Sequence, residues 1–377
     1  MSSEIIPIKV PKWGLAMEEG TIITWHVAEG DHIAKGDEIV DIESSKIANV
    51  LEAPASGPLR RIVAAEGEVL PVGALLGVVA DESVDDDTID AFIADYQERF
   101  AKEAAEAGSA GPSPETVDAG SLTLEYLKLA PADFEGGVPA VLIHGFGGDK
   151  NNWLFNQAPL AEHRATYALD LPGHGGSTKK VDRPDLDGLT DAVIAFLDAL
   201  ELEQVNLIGH SMGGAVALNL ALKAPDRVNA VVTVNGAGYG TAVNPDYITN
   251  FLGAKKRRDM KAAAELLFAD SALVTRDMLE DMIRFKRLDG VEEALKAIAE
   301  ATLLGENLPD LRARLGDIKA PILGLWGAKD QVITVPDTAA LPENIKAHLF
   351  DDAGHMAHME AANEANEIIE AFLEEQD

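Results

Sequence analysis

Three residues in the second half of the chain have the types and order of a serine nucleophile with its acid and base. Ser211 lies between two glycines in Gly209-His-Ser-Met-Gly213, after a strand-like run and before a helical pattern. Small flanking residues permit the strained turn that exposes a serine hydroxyl above a sheet. Asp330 and His355 each follow a strand-like run. We therefore expect acyl chemistry in which His355 removes the serine proton and Asp330 orients the imidazole.

A glycine-rich segment follows the first buried strand-like run of the same region. It reads His144-Gly-Phe-Gly-Gly148. A backbone N–H is needed at this place to bind the negative oxygen of a tetrahedral intermediate. The sequence therefore predicts an oxyanion hole formed by the amides of Phe146 and Met212.

Neighbouring residues compete for some of these roles. His358 is the alternative base, and Asp351 and Asp352 are alternative acids. We expect His174, within the turn Asp170-Leu-Pro-Gly-His-Gly-Gly-Ser177, to be structural. Cysteine is absent, which excludes thiol nucleophiles, thiolate metal sites and disulfides and agrees with a reducing compartment.

One lysine has an unusual setting. Lys46 lies in Asp41-Ile-Glu-Ser-Ser-Lys-Ile-Ala-Asn-Val50, with β-prone runs on both sides. A lysine between such runs is ordinarily a solvated hairpin residue. Here it stands near the middle of a small β-patterned segment, with Gly57 following and the segment Pro11-Lys-Trp-Gly-Leu-Ala-Met-Glu-Glu-Gly20 preceding it.

Length and charge restrict the class of protein. The 377 residues suggest two domains. The formal charge of −33 disfavours nucleic acid and anionic membranes as partners, because polyanions are repelled. The first residues lack the basic and apolar regions of a signal peptide, and no apolar run approaches the ~20 residues that span a bilayer. We expect a soluble cytoplasmic protein.

Residues 1–80 predict a small all-β sandwich or flattened barrel, because short β-prone runs alternate with glycine turns. The runs Glu29-Gly-Asp31 and Glu66-Gly-Glu68 echo one another, which suggests a pseudo-twofold. Residues 81–120 predict an acidic amphipathic helix over Asp85–Ala107, followed by a flexible linker to Gly120. We expect the apolar stripe of this helix to pack on the C-terminal domain, with self-association or docking of another subunit as alternatives.

From residue 121 to 377, apolar strand-like runs alternate with helical patterns, which predicts a doubly wound, mostly parallel sheet. Between about residues 240 and 310 the strands stop and helical segments appear, so we expect a helical cap there. Lys255-Lys-Arg-Arg258, within this cap, is the chain's one basic cluster. It could meet the phosphates of CoA, although a solvated helix end is the simpler interpretation.

These motifs resemble two known families. Residues 121–377, with the Ser211, Asp330 and His355 motifs, are similar to the α/β-hydrolase superfamily. Residues 1–80 resemble the lipoyl domains of 2-oxo-acid and acetoin dehydrogenase complexes, with Lys46 matching the lipoylated lysine. Biotinyl domains share that fold, but their lysine lies between methionines, whereas Ser45 and Ile47 flank Lys46. Together the two parts resemble the dihydrolipoyl acetyltransferases of acetoin dehydrogenase complexes over nearly the whole chain.

The resemblance implies cofactors and partners. Lipoate would be attached to Lys46, and CoA would accept the acetyl group. A thiamine-diphosphate-dependent component would load the arm, a flavin dihydrolipoyl dehydrogenase would reoxidise it, and the chain would form a homo-oligomer. The sequence departs from the usual acyltransferases of 2-oxo-acid complexes in two respects. It lacks a His-x-x-x-Asp-Gly motif and a compact subunit-binding module over residues 81–120, which leaves the acidic helix as the candidate docking site.

Two other functions remain open. The chain could be a hydrolase that discharges acyl-lipoyl groups or cleaves an unrelated ester, with the lipoyl domain serving to recruit it. It could also be a carrier and scaffold whose hydrolase-like domain is silent. Three motifs in the order serine, acid, histidine weigh against a silent domain.

Overall fold

The computed structural model describes residues 5–11, 19–43, 48–106, 112–131, 136–305 and 309–376. The chain forms two compact units, Met1–Gly111 and Pro112–Asp377. Lys46 and its neighbours 44, 45 and 47 lie outside the described residues.

The first unit contains two four-stranded antiparallel sheets. Its strands are β1 (Ile6–Lys9), β2 (Glu19–Trp25), β3 (His32–Ile33), β4 (Glu38–Glu43), β5 (Ala48–Glu52), β6 (Gly57–Ile62), β7 (Val69–Pro71) and β8 (Leu75–Val79). The orders are β1-β8-β6-β3 and β5-β4-β2-β7. Six of these strands match β-prone runs of the sequence, whereas β3 and β7 are too brief to show a period. The runs are Ile5–Val10, Gly20–His26, Glu38–Ile42, Ile47–Glu52, Gly57–Val63 and Leu75–Ala80.

The predicted pseudo-twofold is visible in these sheets. If each strand is replaced by the strand four positions earlier or later in chain order, the order β1-β8-β6-β3 becomes β5-β4-β2-β7. Two glutamates of the echoed turns make equivalent bonds: Glu29 Oε1 accepts the Ile62 N–H at 2.7 Å, and Glu66 Oε1 accepts the Trp25 N–H at 2.9 Å. Each half of the unit therefore closes the other with the same contact.

A long helix, α1 (Asp86–Glu106), follows strand β8. Its bounds are close to the predicted range Asp85–Ala107. Its apolar stripe packs on the first unit, where Ile89 is buried beside Val78 and Ala80. The hydroxyl of Tyr96 donates to the Gly73 carbonyl at 2.8 Å. The expectation that this stripe packs on the C-terminal domain was therefore wrong. An amphipathic pattern identifies an apolar face but does not name its partner.

Part of the segment predicted to be a linker forms a β-strand. Strand β9 (Glu115–Ala119) lies within the expected linker, and it pairs antiparallel with β10 (Leu122–Leu129). This hairpin has a signal in the sequence, since Leu122, Leu124 and Tyr126 alternate with polar residues.

The second unit is built on one eight-stranded sheet. Its further strands are β11 (Ala140–Ile143), β12 (Thr166–Leu169), β13 (Val205–His210), β14 (Val228–Val234), β15 (Ile322–Gly327) and β16 (Ile345–Phe350). The order is β16-β15-β14-β13-β11-β12-β10-β9. Strands β11 to β16 pair in parallel, while β10 is antiparallel to both neighbours. The central strands are buried throughout, which explains their unbroken apolar runs.

Helices surround this sheet. They are α2 (Gln157–Leu160), α3 (Leu186–Ala199), α4 (Met212–Lys223), α5 (Pro245–Gly253), α6 (Arg257–Ala264), α7 (Arg276–Lys286), α8 (Val291–Thr302), α9 (Ala357–Glu360) and α10 (Ala362–Glu374). Helices α5 to α8 lie between β14 and β15, in the region predicted as a cap, and pack on one another. Among the described helices, none has the length and apolar character that crossing a membrane requires.

Candidate active site

Ser211 occupies a strained turn between β13 and α4. Its backbone angles are φ 53° and ψ −119°, in a region that side-chain-bearing residues rarely adopt. The strain is supported by bonds on both sides, because the Ser211 N–H donates to Val234 O at 3.0 Å and its carbonyl accepts the Ala237 N–H at 2.9 Å. A Cβ at Gly209 would lie 2.3 Å from the Gly213 carbonyl oxygen. The chain therefore turns here only with glycine beside the serine, as the motif predicted.

Asp330 and His355 meet at the ends of adjacent strands β15 and β16. His355 Nδ1 lies 2.8 Å from Asp330 Oδ2, and both side chains are almost fully buried. The other carboxylate oxygen of Asp330 accepts the N–H groups of Val332 at 2.7 Å and Ile333 at 2.9 Å. Burial alone would raise the pKa of Asp330, but His355 and these N–H bonds outweigh it and hold the pKa below its ordinary value. An ionised Asp330 can only accept this bond, so Nδ1 carries a proton and the orientation of the ring is fixed.

A residue that the sequence analysis missed completes the carboxylate's surroundings. Asn235 directly follows β14, has a positive φ of 45°, and donates its side-chain amide to Asp330 Oδ2 at 2.7 Å. It stands at the carboxyl end of the strand between those that carry Ser211 and Asp330. Its position at a strand end was the available signal, since polar residues at that edge of a parallel sheet are candidates for function.

His210 connects the serine and the histidine. Its Nε2 lies 2.9 Å from the carbonyl oxygen of His355, and the two rings are 4.8 Å apart. Because His210 directly precedes Ser211, this bond fixes the His355 backbone beside the serine turn. Burial and the neighbouring histidines His358 and His355 lower the pKa of His210 well below its usual value, so the ring is neutral and donates from Nε2.

The competing residues are placed elsewhere. His358 is buried within α9, where Nε2 bonds to the Asn152 carbonyl at 3.1 Å and the ring lies 4.8 Å from Trp153. Asp352 is 95% exposed and pairs with Lys329 at 2.7 Å. Asp351 is also exposed. These residues have structural or surface positions, whereas His355 has the carboxylate partner.

The glycine-rich loop after β11 lies against the serine turn. A Cβ at Gly145 would lie 2.8 Å from the Ser211 Cβ. The Gly145 carbonyl is occupied by His144 Nδ1 at 2.7 Å and by the Gly148 N–H at 3.2 Å. Because a trans peptide places C=O and N–H on opposite sides, the Phe146 N–H points away from these partners. Met212 begins α4, so its amide is among those left unpaired by the helix.

The side chain of His174 supports the glycine-rich loop. His174 Nε2 accepts the Gly147 N–H at 3.2 Å, and its Nδ1 bonds to the Pro172 carbonyl at 3.1 Å. Burial, with the nearby His144, lowers the pKa of His174 to about 3, so it is a neutral acceptor at ordinary pH. This contact agrees with the structural role predicted for His174.

A buried charge cluster lies next to the same loop. Lys150 Nζ pairs with Asp170 at 2.9 Å and with Glu125 at 2.6 Å. The sequence analysis did not identify this cluster.

The cap covers the same loop. On α5, Tyr247 donates its hydroxyl to the Phe146 carbonyl at 3.4 Å, and the Phe251 ring lies 5.6 Å from the ring of Phe146. The far end of α5 is held by Lys286 of α7, whose buried ammonium donates to the carbonyls of Phe251, Leu252 and Ala254 at 2.6 to 2.9 Å. The cap is therefore joined to the loop that carries the Phe146 amide.

The basic cluster of the cap is partly neutralised. Lys255 pairs with Glu292 at 2.5 Å and Arg257 with Glu280 at 2.7 Å. Arg258 is 93% exposed, with a carboxylate of Asp259 at 3.9 Å. This arrangement favours the interpretation of a solvated helix end over a ready-made phosphate site.

Lys46 lies in sequence between strands β4 and β5. Strands β4 and β5 pair antiparallel, with Glu43 opposite Ala48. Residues 44–47 therefore join two paired strands of the first unit.

Comparison with known proteins agrees with the two units. Residues 6–79 match the family model described as "Biotin-requiring enzyme", and residues 139–362 match the model of the alpha/beta hydrolase fold. The second unit also has the fold of a meta-cleavage product hydrolase from Pseudomonas fluorescens, with a TM-score of 0.63 and 21% identity over 70% of this chain and 98% of that one. The chain thus joins a biotin/lipoyl-type domain to an α/β-hydrolase-fold domain.

Two relatives are similar to this chain over almost their full length. The dihydrolipoyllysine-residue acetyltransferase component of the acetoin cleaving system of Pseudomonas putida is 47% identical over 372 residues, covering 98% of this chain and 99% of that protein. The component of the same name from Cupriavidus necator is 44% identical over 375 residues, or 99% and 98%. The chain belongs to this family of acetyltransferase components of acetoin cleaving systems.

Proposed function

We propose that the protein transfers an acetyl group from a dihydrolipoyl-lysine to CoA, and that Ser211, His355 and Asp330 perform the transfer. The observation that supports this most directly is the 2.8 Å bond from His355 Nδ1 to Asp330, with His355 fixed by the residue next to Ser211. The relatives named as acetyltransferase components support the donor and the reaction type.

The first unit fits a lipoyl group. Lys46 lies within the segment matched by the biotin/lipoyl family model and joins the paired strands β4 and β5. When attached there, the lipoyl group supplies an acetyl thioester on a long arm. Lysine is the required residue because its amine forms the amide bond to lipoate.

Acylation begins at the serine. His355 Nε2, the ring nitrogen left free by the Asp330 bond, removes the proton of Ser211 Oγ as the oxygen attacks the acetyl carbonyl. The carbon–oxygen bond forms, the carbon–sulfur bond breaks, and His355 returns the proton to the departing thiolate. Asp330 stabilises the transient imidazolium through its ionised carboxylate. Ser211 then carries the acetyl group as an ester.

The second half reverses these events with a different thiol. His355 takes the proton of the CoA thiol, whose sulfur attacks the acetyl carbonyl on Ser211. The new carbon–sulfur bond forms, the bond to Oγ breaks, and His355 reprotonates the serine. Acetyl-CoA leaves and the site is restored without any net change in protonation.

In both halves a negative oxygen develops on the acetyl carbonyl. The amides of Phe146 and Met212 are the proposed donors to it, since the Phe146 N–H points away from the partners of Gly145 and Met212 begins α4. Each such donor is typically worth about 10² to 10³ in rate. The cap helix α5 supports this hole through its contacts with Phe146. Exclusion of water by the cap, which would spare the acetyl-serine for CoA, is part of the proposal.

The proposal places the protein in a complex. As an acetoin-cleaving component it requires a thiamine-diphosphate-dependent dehydrogenase component to load the arm and a dihydrolipoyl dehydrogenase to reoxidise it. We also propose that the chain forms homo-oligomers. Since the apolar stripe of α1 is covered by its own unit, docking through α1 would use its exposed acidic face, which includes Asp95 and Glu98.

The test is a product analysis with purified, lipoylated protein. Acetyl-dihydrolipoamide is supplied with and without CoA, and acetyl-CoA and free acetate are measured. Transfer predicts acetyl-CoA that depends on CoA. If acetate is the sole product and its rate ignores CoA, the protein is a hydrolase and the proposal is overturned.

Two substitutions assign the residues. Ser211→Ala should abolish turnover while the lipoyl mass increment remains, and Ser271→Ala, at an exposed serine of the cap, should leave turnover unchanged. Lys46→Arg should remove the lipoyl increment from the intact mass, whereas the exposed control Lys35→Arg should retain it. Turnover by the Ser211 variant would remove this serine from the mechanism.

A further inference from the structure

A carboxylate lies behind the loop that carries His355. Glu360, at the end of α9, is partly buried and uses both of its oxygens. Its Oε1 accepts the Gly354 N–H at 2.7 Å, and its Oε2 accepts the N–H of Ala269 at 2.8 Å. Ala269 belongs to the cap, between α6 and α7. One side chain therefore joins the residue before His355 to the cap.

The two backbones that Glu360 joins are in direct contact. The Met356 N–H donates to the carbonyl of Leu267 in the cap at 3.0 Å. A Cβ at Gly354 would lie 2.6 Å from the Ala269 nitrogen, so the loop and the cap are too close to admit even a methyl group. The backbone on both sides of His355 is thus bound to residues 267–269.

We propose that Glu360 is a positioning residue that couples the cap to His355. It does not touch the reacting atoms, because its oxygens are occupied by backbone N–H groups. Its effect passes through Gly354 and Met356, which determine where the imidazole stands relative to Ser211 and Asp330. A displacement of the cap, such as one that admits the acyl donor or CoA, is transmitted to the base through this contact.

The charges around Glu360 give the contact a pH dependence. Burial and the carboxylate of Asp330 raise the pKa of Glu360, and the N–H bonds from Ala269, Gly354 and Met356 oppose them without restoring the ordinary value. Lys329 is the nearby cation, and it is paired with Asp352. On the cap, Asp270 follows Ala269 but its side chain accepts the Ala272 N–H. Protonation of Glu360 converts one acceptor oxygen into a hydroxyl and weakens one of the two bonds.

Amide hydrogen exchange on the full chain tests the coupling. In Glu360→Gln, whose amide group cannot accept at both positions, protection at residues 267–269 and 354–356 should fall together by about tenfold or more. The matched control is Glu367→Gln, an exposed glutamate on α10, which should leave both segments protected. Unchanged protection in the Glu360 variant, or loss in one segment alone, refutes the coupling.

The pH profile of kcat/KM separates positioning from a general loss of stability. In the wild type, protonation of Glu360 should add a partial loss of kcat/KM in acid to any loss that comes from the catalytic base. Glu360→Gln resembles the protonated carboxyl group, so kcat should be lowered about tenfold with KM little changed, and this additional loss in acid should be absent. A variant that keeps the wild-type kcat or the wild-type pH profile would overturn the proposal. This kinetic test rests on the proposed function of His355, whereas the exchange test does not. If Glu360→Gln lowers protection in both segments but the wild-type protein transfers no acetyl group, the coupling stands and the proposed function is overturned.

Discussion

Asn235 and His355 share one oxygen of Asp330: the Asn235 amide lies 2.7 Å from Oδ2 and the His355 Nδ1 lies 2.8 Å from it. Asn235 thereby prevents the carboxylate from rotating away from the imidazole. The other amide atom of Asn235, Oδ1, is buried and has no hydrogen-bond partner within the described part of the chain, and its backbone has a positive φ. Such a costly conformation is retained where the geometry it provides is needed.

Removing this contact should impair catalysis more than binding. A hydrogen bond to a charged group contributes about 1.5–3 kcal/mol, so Asn235→Ala should lower kcat by roughly tenfold to a hundredfold with little change in KM. Steady-state acetyl transfer to CoA measures both constants. Asn363→Ala, at an exposed asparagine on α10, is the control and should behave as wild type. A normal kcat in the Asn235 variant would show that Asp330 is oriented without it.

Much of this site could be predicted from local patterns. The serine turn has a fixed glycine spacing because only glycine fits against the crossing backbone, and Asp330 and His355 follow apolar runs that parallel strands require. Asn235 and Glu360 have no comparable spacing rule. Their roles arise from which strand ends and which cap segment become neighbours in space, and a single sequence does not contain that information.

In the first unit, too, local features could be predicted from the sequence and contacts between distant segments could not. Its strand pattern and internal echo were predictable, since both follow from residue types along the chain. The partner of the α1 stripe was not, because the same apolar face could cover either unit. The ion pairs of Arg60 and Arg61 with Asp86, which fix the start of α1 on the first unit, link residues far apart in sequence.

The packing of α1 predicts that it stabilises the first unit. Ile89 is fully buried against Val78 and Ala80. Ile89→Ala should destabilise that unit by about 2–5 kcal/mol through lost burial and the resulting cavity. Amide exchange of β8 in the full chain should therefore accelerate, while exchange of β13 and β14 stays unchanged. Glu98→Ala, on the exposed face of α1, should alter neither. Protection of β8 that survives the isoleucine substitution would contradict this assignment.

Lys286 should be important for the stability of the cap. Its ammonium satisfies three carbonyls at the end of α5, and Lys286→Met would leave buried acceptors unpaired. We expect a loss of about 2–5 kcal/mol, seen as faster amide exchange in α5 and α7. Lys296→Met is the control, because Lys296 is exposed on α8 with only a 3.9 Å pair to Glu300. Equal exchange in the two variants would exclude the predicted role.

The buried neutral histidines should make the second unit sensitive to acid. Burial, assisted by His355, lowers the pKa of His358 to about 3, despite the bond to the Asn152 carbonyl that opposes it. The unfolded chain binds a proton near pH 6.5, and the folded chain does not until about pH 3, so the free energy of unfolding falls as pH decreases between these values. Each such histidine contributes a slope of roughly 1.4 kcal/mol per pH unit.

Replacing His358 isolates its share of this slope. His358→Gln removes the titrating group, so the unfolding free energy of the second unit should depend less steeply on pH between about 6 and 4, by close to one proton. Denaturant unfolding at several pH values gives the slope, even if the glutamine variant is less stable at neutral pH. His163→Gln, at an exposed histidine, should keep the wild-type slope. If the unfolding free energy has the same pH dependence in the two variants, His358 is not held neutral by the fold. A histidine with the same pKa in the folded and unfolded states contributes no slope.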